Sequence, residues 1–290
     1  MVKLATARES RMYGSRRNRE RSEYTNAGLY VFSTIVLLCG FVAQFSREAK
    51  SGLVVLLVGL GLIIVVNIHD LLAHLAGIDY RMRLMELDTQ LLLVEVAVPV
   101  VQAIGGLLFF IAILLLVLQA DRGFGYDRIE VHALNLLIAG TSLWLLGSIH
   151  NSCQIYEHTD AHIQILQQSV HIPFLIASLL FLAGAILNFR QQIGHHHHGL
   201  HLLTYSWVWI GIIASSLLVI GGLANVVKVI KMLQTDGIRL EKLRGGAQEL
   251  LIEELEERGE TPFLIEEGQR RRWTRPSDSP PLNAVLVGRT

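Results

Sequence analysis

Six apolar runs, each long enough to cross a bilayer, constrain this chain more than any motif in it. They cover residues 27–45, 52–72, 91–118, 132–150, 170–189 and 203–227. About 20 apolar residues span the hydrocarbon core, and a helix satisfies its own backbone polar groups there. The runs are continuous, not alternating, which argues against the strands of a membrane barrel. Charged residues make up 17% of the chain and hydrophobic ones 51%, whereas a soluble domain carries about 25% charged residues. The expected fold is an all-α integral membrane protein, with a six-span transmembrane helical bundle over 27–227.

The flanks differ in kind. Residues 1–26 form a basic arm with seven Lys or Arg against three Glu. No small-residue cleavage pattern follows, so the arm reads as the cytoplasmic flank of a start anchor. With both termini cytoplasmic, inner segments hold fourteen Lys and Arg and outer loops five, the bias that sets orientation. The expected location is the plasma membrane or an endomembrane. Over 228–258, Ile238, Leu240 and Leu243 and then Leu250, Leu251 and Leu255 recur at helical spacing, split by Gly245-Gly246. That pattern predicts two amphipathic helices on the membrane surface or against a partner. Residues 259–290 are rich in Pro, Arg, Ser and Glu, which predicts a disordered tail. The tail offers a basic tract to anionic lipid or a cytoplasmic protein, and Ser277 and Ser279 to phosphorylation.

Short matches suggest an internal repeat. Val96-x-x-Pro99-x-x-x-Ala103 and Val170-x-x-Pro173-x-x-x-Ala177 lie 74 residues apart. Runs two, four and six end in similar polar steps: Ile68-His69-Asp70, Ile149-His150-Asn151 and Leu223-Ala224-Asn225. Together these predict three parallel two-helix units about an axis along the membrane normal. Pro99 and Pro173 would sit in first turns, where a missing N–H costs little. Asp70, Asn151 and Asn225 would ring the cytoplasmic mouth of a central cavity.

Ionisable groups within spans are costly and so are transport-pathway candidates by default. Asp70 and Glu95 qualify, with Asn151 and Asn225 beside them. Gln102 and Asn135 lie deeper and are expected to hydrogen-bond between helices. All twelve histidines fall between His69 and His201. His158 and His162, if helical, are four apart and share a face, the spacing of two ligands on one divalent metal, with Cys153 nearby. His195, His197 and His201, in "GHHHHGLH", could collect a metal weakly or sense pH. His69 and His150 end their runs at similar depth, the one arrangement that would suit a bis-histidine haem.

No Walker, G-x-G-x-x-G, G-x-S-x-G or H-E-x-x-H motif occurs, so no nucleotide-binding, hydrolase or metalloprotease signature is present. The basic arm lacks interleaved aromatics, which argues against nucleic acid. The two cysteines give no disulfide framework. Three function classes remain. The leading one is a small carrier or channel for an ion, proton or small solute. The second is a membrane adaptor or scaffold acting through its tails. The third is a haem- or metal-dependent redox protein.

Overall fold

The structure is a computed structural model that describes residues 16–46, 49–75, 96–122, 127–152, 156–158, 161–194, 203–234 and 241–243. Six helices dominate: α1 Arg16–Ala43, α2 Ala49–Leu75, α3 Val98–Arg122, α4 Asp127–Asn151, α5 Ala161–Gly194 and α6 Tyr205–Gln234. Each contains a stretch long and apolar enough to cross a membrane, with mean hydropathy between 1.5 and 2.8. Their outward faces are apolar too: Phe32, Val58, Leu72, Ile172 and Ile213 are each more than half exposed. A surface of that kind is stable against lipid and not against water. The chain is therefore read as a multi-pass integral membrane protein.

Each helix packs mainly against its two sequence neighbours, and α1 against α6 closes the ring. The closest pairs are the hairpins α1–α2, α3–α4 and α5–α6. Small residues permit that closeness. A Cβ on Gly140 would lie 2.7 Å from the Gly105 carbonyl oxygen and 2.8 Å from the Phe109 nitrogen. A Cβ on Gly59 would lie 2.9 Å from the Leu37 nitrogen. Gly61, by contrast, meets only Phe110 at 3.8 Å.

The inward positions follow a common register. In α1, α3 and α5 they recur 72 residues apart: Tyr30, Gln102 and Phe174, then Leu37, Phe109 and Phe181, all buried. In α2, α4 and α6 the aligned inward positions are Ile63, Trp144 and Leu218, then Asp70, Asn151 and Asn225. The proline match at 74 residues is therefore out of register by two. It would pair buried Val98 with exposed Ile172. Pro99 does sit in a first turn, but α5 begins twelve residues before Pro173 and runs through it. Pro173 is an interior helical proline, whose missing N–H leaves one carbonyl without its helical donor.

Aromatic rings join the helices beyond mid-bundle. Phe181 meets Phe41, Phe109, Trp144 and Trp207 with centroids 5.8–6.1 Å apart, mostly edge-on. The cluster draws on five helices and fills the axis there.

One reading of the flanks changes. Residues Glu241–Leu243 form β2, antiparallel to β1 at Tyr156–His158, where the spacing of Leu240 and Leu243 predicts a helix. Cross-strand backbone pairing wins over a weak amphipathic pattern that Gly245-Gly246 interrupts. Helix α1 starts at Arg16, within the basic arm. Residues 249–290, with Leu250, Leu251 and Leu255 among them, lie outside the described residues.

Candidate functional site

One end of the bundle is formed by the starts of α1, α3 and α5 and the ends of α2, α4 and α6. Every helix buries a polar group toward that end. They are Asn26 on α1, Asn67 and Asp70 on α2, Gln102 on α3, Ser148 and Asn151 on α4, Gln167 on α5, and Asn225 and Lys228 on α6. The outward positions at the same level are mixed: Leu72, Ile149, Leu223 and Val227 are exposed, and so are His69, Gln168 and Ser169. Asp70 is 1% exposed and Lys228 is fully enclosed. The Lys228 ammonium donates to Gln167 Oε1 across 3.3 Å. A buried ammonium without acceptors would cost several kcal/mol, so this contact is part of what holds the α5–α6 hairpin. The Oδ1 atoms of Asn26 and Asn225 have no hydrogen-bond partner among the described residues.

Sequence reasoning proposed Asp70, Asn151 and Asn225, and the structure brings them to this end on inward faces. It missed Asn26, Gln167 and Lys228. Lys228 reads as an interfacial lysine at a span end, where snorkelling is the ordinary fate. Its burial depends on the partner helix that covers it. Glu95 lies just outside the described residues.

Further along the axis is a small cavity lined by Tyr30, Ile63, Gln102, Trp144, Ser148, Phe174, Ser178 and Leu218. All six helices contribute. The volume open to a water's centre is about 10 Å³, close to the minimum for one water molecule. Trp144 Nε1 donates to the Gln102 backbone carbonyl at 3.2 Å. The Gln102 side chain is 1% exposed. Neither its Oε1 nor its Nε2 has a partner among the described residues. The interhelical bond expected of that amide is therefore absent. Asn135 is exposed, not interhelical. The hydroxyls along the helices bond mostly within their own helix, as Thr141 does to Leu137 O at 2.8 Å and Ser215 to Gly211 O at 2.6 Å. Between the cavity and the far end stands the aromatic cluster.

The histidine readings fare differently. His158 lies on β1 and His162 on α5, so the two do not share a helical face. Among the described residues no three His, Cys, Asp or Glu gather as a metal site. Cys153, His195, His197, His201, Ser277 and Ser279 lie outside the described residues. His69 is exposed, and His150 turns its Nδ1 to its own Leu146 carbonyl at 2.9 Å. Their neighbours Asp70 and Asn151 take the inward positions. Adjacent side chains on a helix point about 100° apart, so the imidazoles do not face each other across the bundle. Cys39 is free and exposed.

Compared with protein-family models, curated proteins and solved structures, the chain matches none.

Proposed function

We propose that the protein is a small carrier or channel whose pathway follows the axis of the helical ring. The single observation that carries this reading is the inward polar set at one end, leading to an axial cavity to which all six helices contribute. Buried polar and ionisable groups are expensive within a bilayer, and where they persist they line pathways or bind substrate. The 72-residue spacing of inward positions in α1, α3 and α5, together with the polar ends of α2, α4 and α6, supports three hairpin repeats about that axis, a symmetry that creates a central path. The aromatic cluster fits a closed gate, because rings at its position fill the axis. Both termini are assigned to the cytoplasmic side on charge bias, which makes the polar end the inner mouth.

The test is reconstitution of the full chain in sealed vesicles. Osmotic swelling, entrapped pH dye and ion-selective dyes would report solute, proton and ion flux. Flux above protein-free vesicles, retained when residues after Gly259 are deleted, is the expected result. No flux for any of these species would overturn the reading. If a cellular phenotype then depended on the same deletion, the protein would act through its tail.

A further inference from the structure

We infer that the axial cavity is a binding site for a neutral hydrogen-bonding molecule of one heavy atom, such as water or ammonia, with the Gln102 side-chain amide as its recognition group. The site stands on its own geometry; calling its occupant a substrate rests on the transport reading above.

The cavity layer is made of equivalent inward positions. α1, α3 and α5 supply Tyr30, Gln102 and Phe174, and α2, α4 and α6 supply Ile63, Trp144 and Leu218. Five of these six are aromatic or aliphatic. Gln102 alone carries an amide, and it occupies the place of a ring in the other two hairpins. Space for it is specific. A Cβ on Gly147 would lie 2.6 Å from Gln102 Cγ and 3.0 Å from its Nε2. Gly221 clears Phe174 in the same way, at 2.6 Å.

Both polar atoms of this amide are buried without a partner among the described residues. An amide desolvated in that way is unfavourable unless something bonds to it. Three of the protons nearby are already used, while the Tyr30 hydroxyl also lines the cavity. Trp144 Nε1 donates to the Gln102 carbonyl, Ser148 Oγ to Trp144 O at 2.6 Å, and Ser178 Oγ to Phe174 O and Leu175 O at 3.0 and 2.9 Å. What faces the cavity is the Gln102 amide, with one acceptor and its N–H donors, and the Tyr30 hydroxyl. The complementary ligand has a donor and an acceptor. Among the described residues no charged side chain lines the cavity, so an ion there would be desolvated without compensation. The volume admits about one water, which sets the upper size.

Gln102→Met keeps the reach of the side chain and removes the amide. The wild type and this variant, both full-length, are compared in three measurements. The first is a crystal structure at a resolution that places waters. The second is heat stability in detergent. The third is vesicle permeability to water and ammonia. The expected result is density within hydrogen-bond distance of the Gln102 amide in the wild type and none in the variant. Flux should fall about tenfold in the variant, the equivalent of one lost hydrogen bond. Density at Gln102 without flux upholds the site and overturns the transport reading alone. An empty wild-type cavity overturns the site, as does density unchanged in Gln102→Met. A variant more heat-stable than the wild type also counts against it, because the amide would then be only a burden.

Discussion

At the scale of single residues, the buried lysine and the glycines make the sharpest statements. Lys228 is fully enclosed and bonded to Gln167 at 3.3 Å. Gln167→Leu removes an acceptor from a buried ammonium and should cost about 1.5–3 kcal/mol. Gln167→Glu, which keeps an acceptor, should cost less. Unfolding in mixed detergent measures both, and equal losses would show that Gln167 only fills space. The glycines give a paired test. Gly140→Ala places a methyl against the backbone of α3 and should destabilise by about 1–3 kcal/mol. Gly28 has nothing within 4 Å of an added Cβ, so Gly28→Ala should stabilise α1 by about 0.5–1 kcal/mol. Similar effects at both sites would remove close helix approach as the reason for Gly140. Nothing in the sequence ranks these two glycines. Each sits in an apolar helix, and only the neighbouring backbone distinguishes them.

At the scale of elements, the aromatic cluster ties α1, α3, α4, α5 and α6 together. Phe181 touches four other rings and is fully buried. Phe181→Ala should cost about 3–5 kcal/mol. A double-mutant cycle of Phe181 with Trp207 should return a coupling of about 0.5–1.5 kcal/mol. Zero coupling would mean that the rings pack independently. Helix existence was legible from apolar run length alone, and all six runs overlap their helices. Helix extent was less legible: α1 begins eleven residues before its run and α5 begins nine residues before its run. The first turns of α5 carry His162, Gln164, Gln167 and Gln168, polar residues that hydropathy cannot credit to a span. The same blindness put Pro173 at a helix start. The register of the repeat was half legible. The polar steps at Asp70, Asn151 and Asn225 coincide with the inward alignment, because those positions face one interior. The proline match did not, because a proline reports local backbone and not which face is inward.

At the scale of the molecule, six crossings put the two bundle ends on opposite sides of a membrane. In a variant lacking Cys39 and Cys153, a cysteine at Ser152 and one at Ser46 should react with an impermeant maleimide from opposite sides of sealed vesicles. Labelling of both from one side would overturn the six-span reading. By itself, the sequence determined that the chain is helical, apolar outward and built of six spans, because hydrocarbon thickness and backbone satisfaction leave few other solutions. It also pointed to the polar steps that end α2, α4 and α6. Only the tertiary structure decided which polar groups are enclosed. A helix carries no mark of its covered face when both faces are apolar. Gln102, Gln167 and Lys228 became interior groups through the neighbours that the closed ring sets against them.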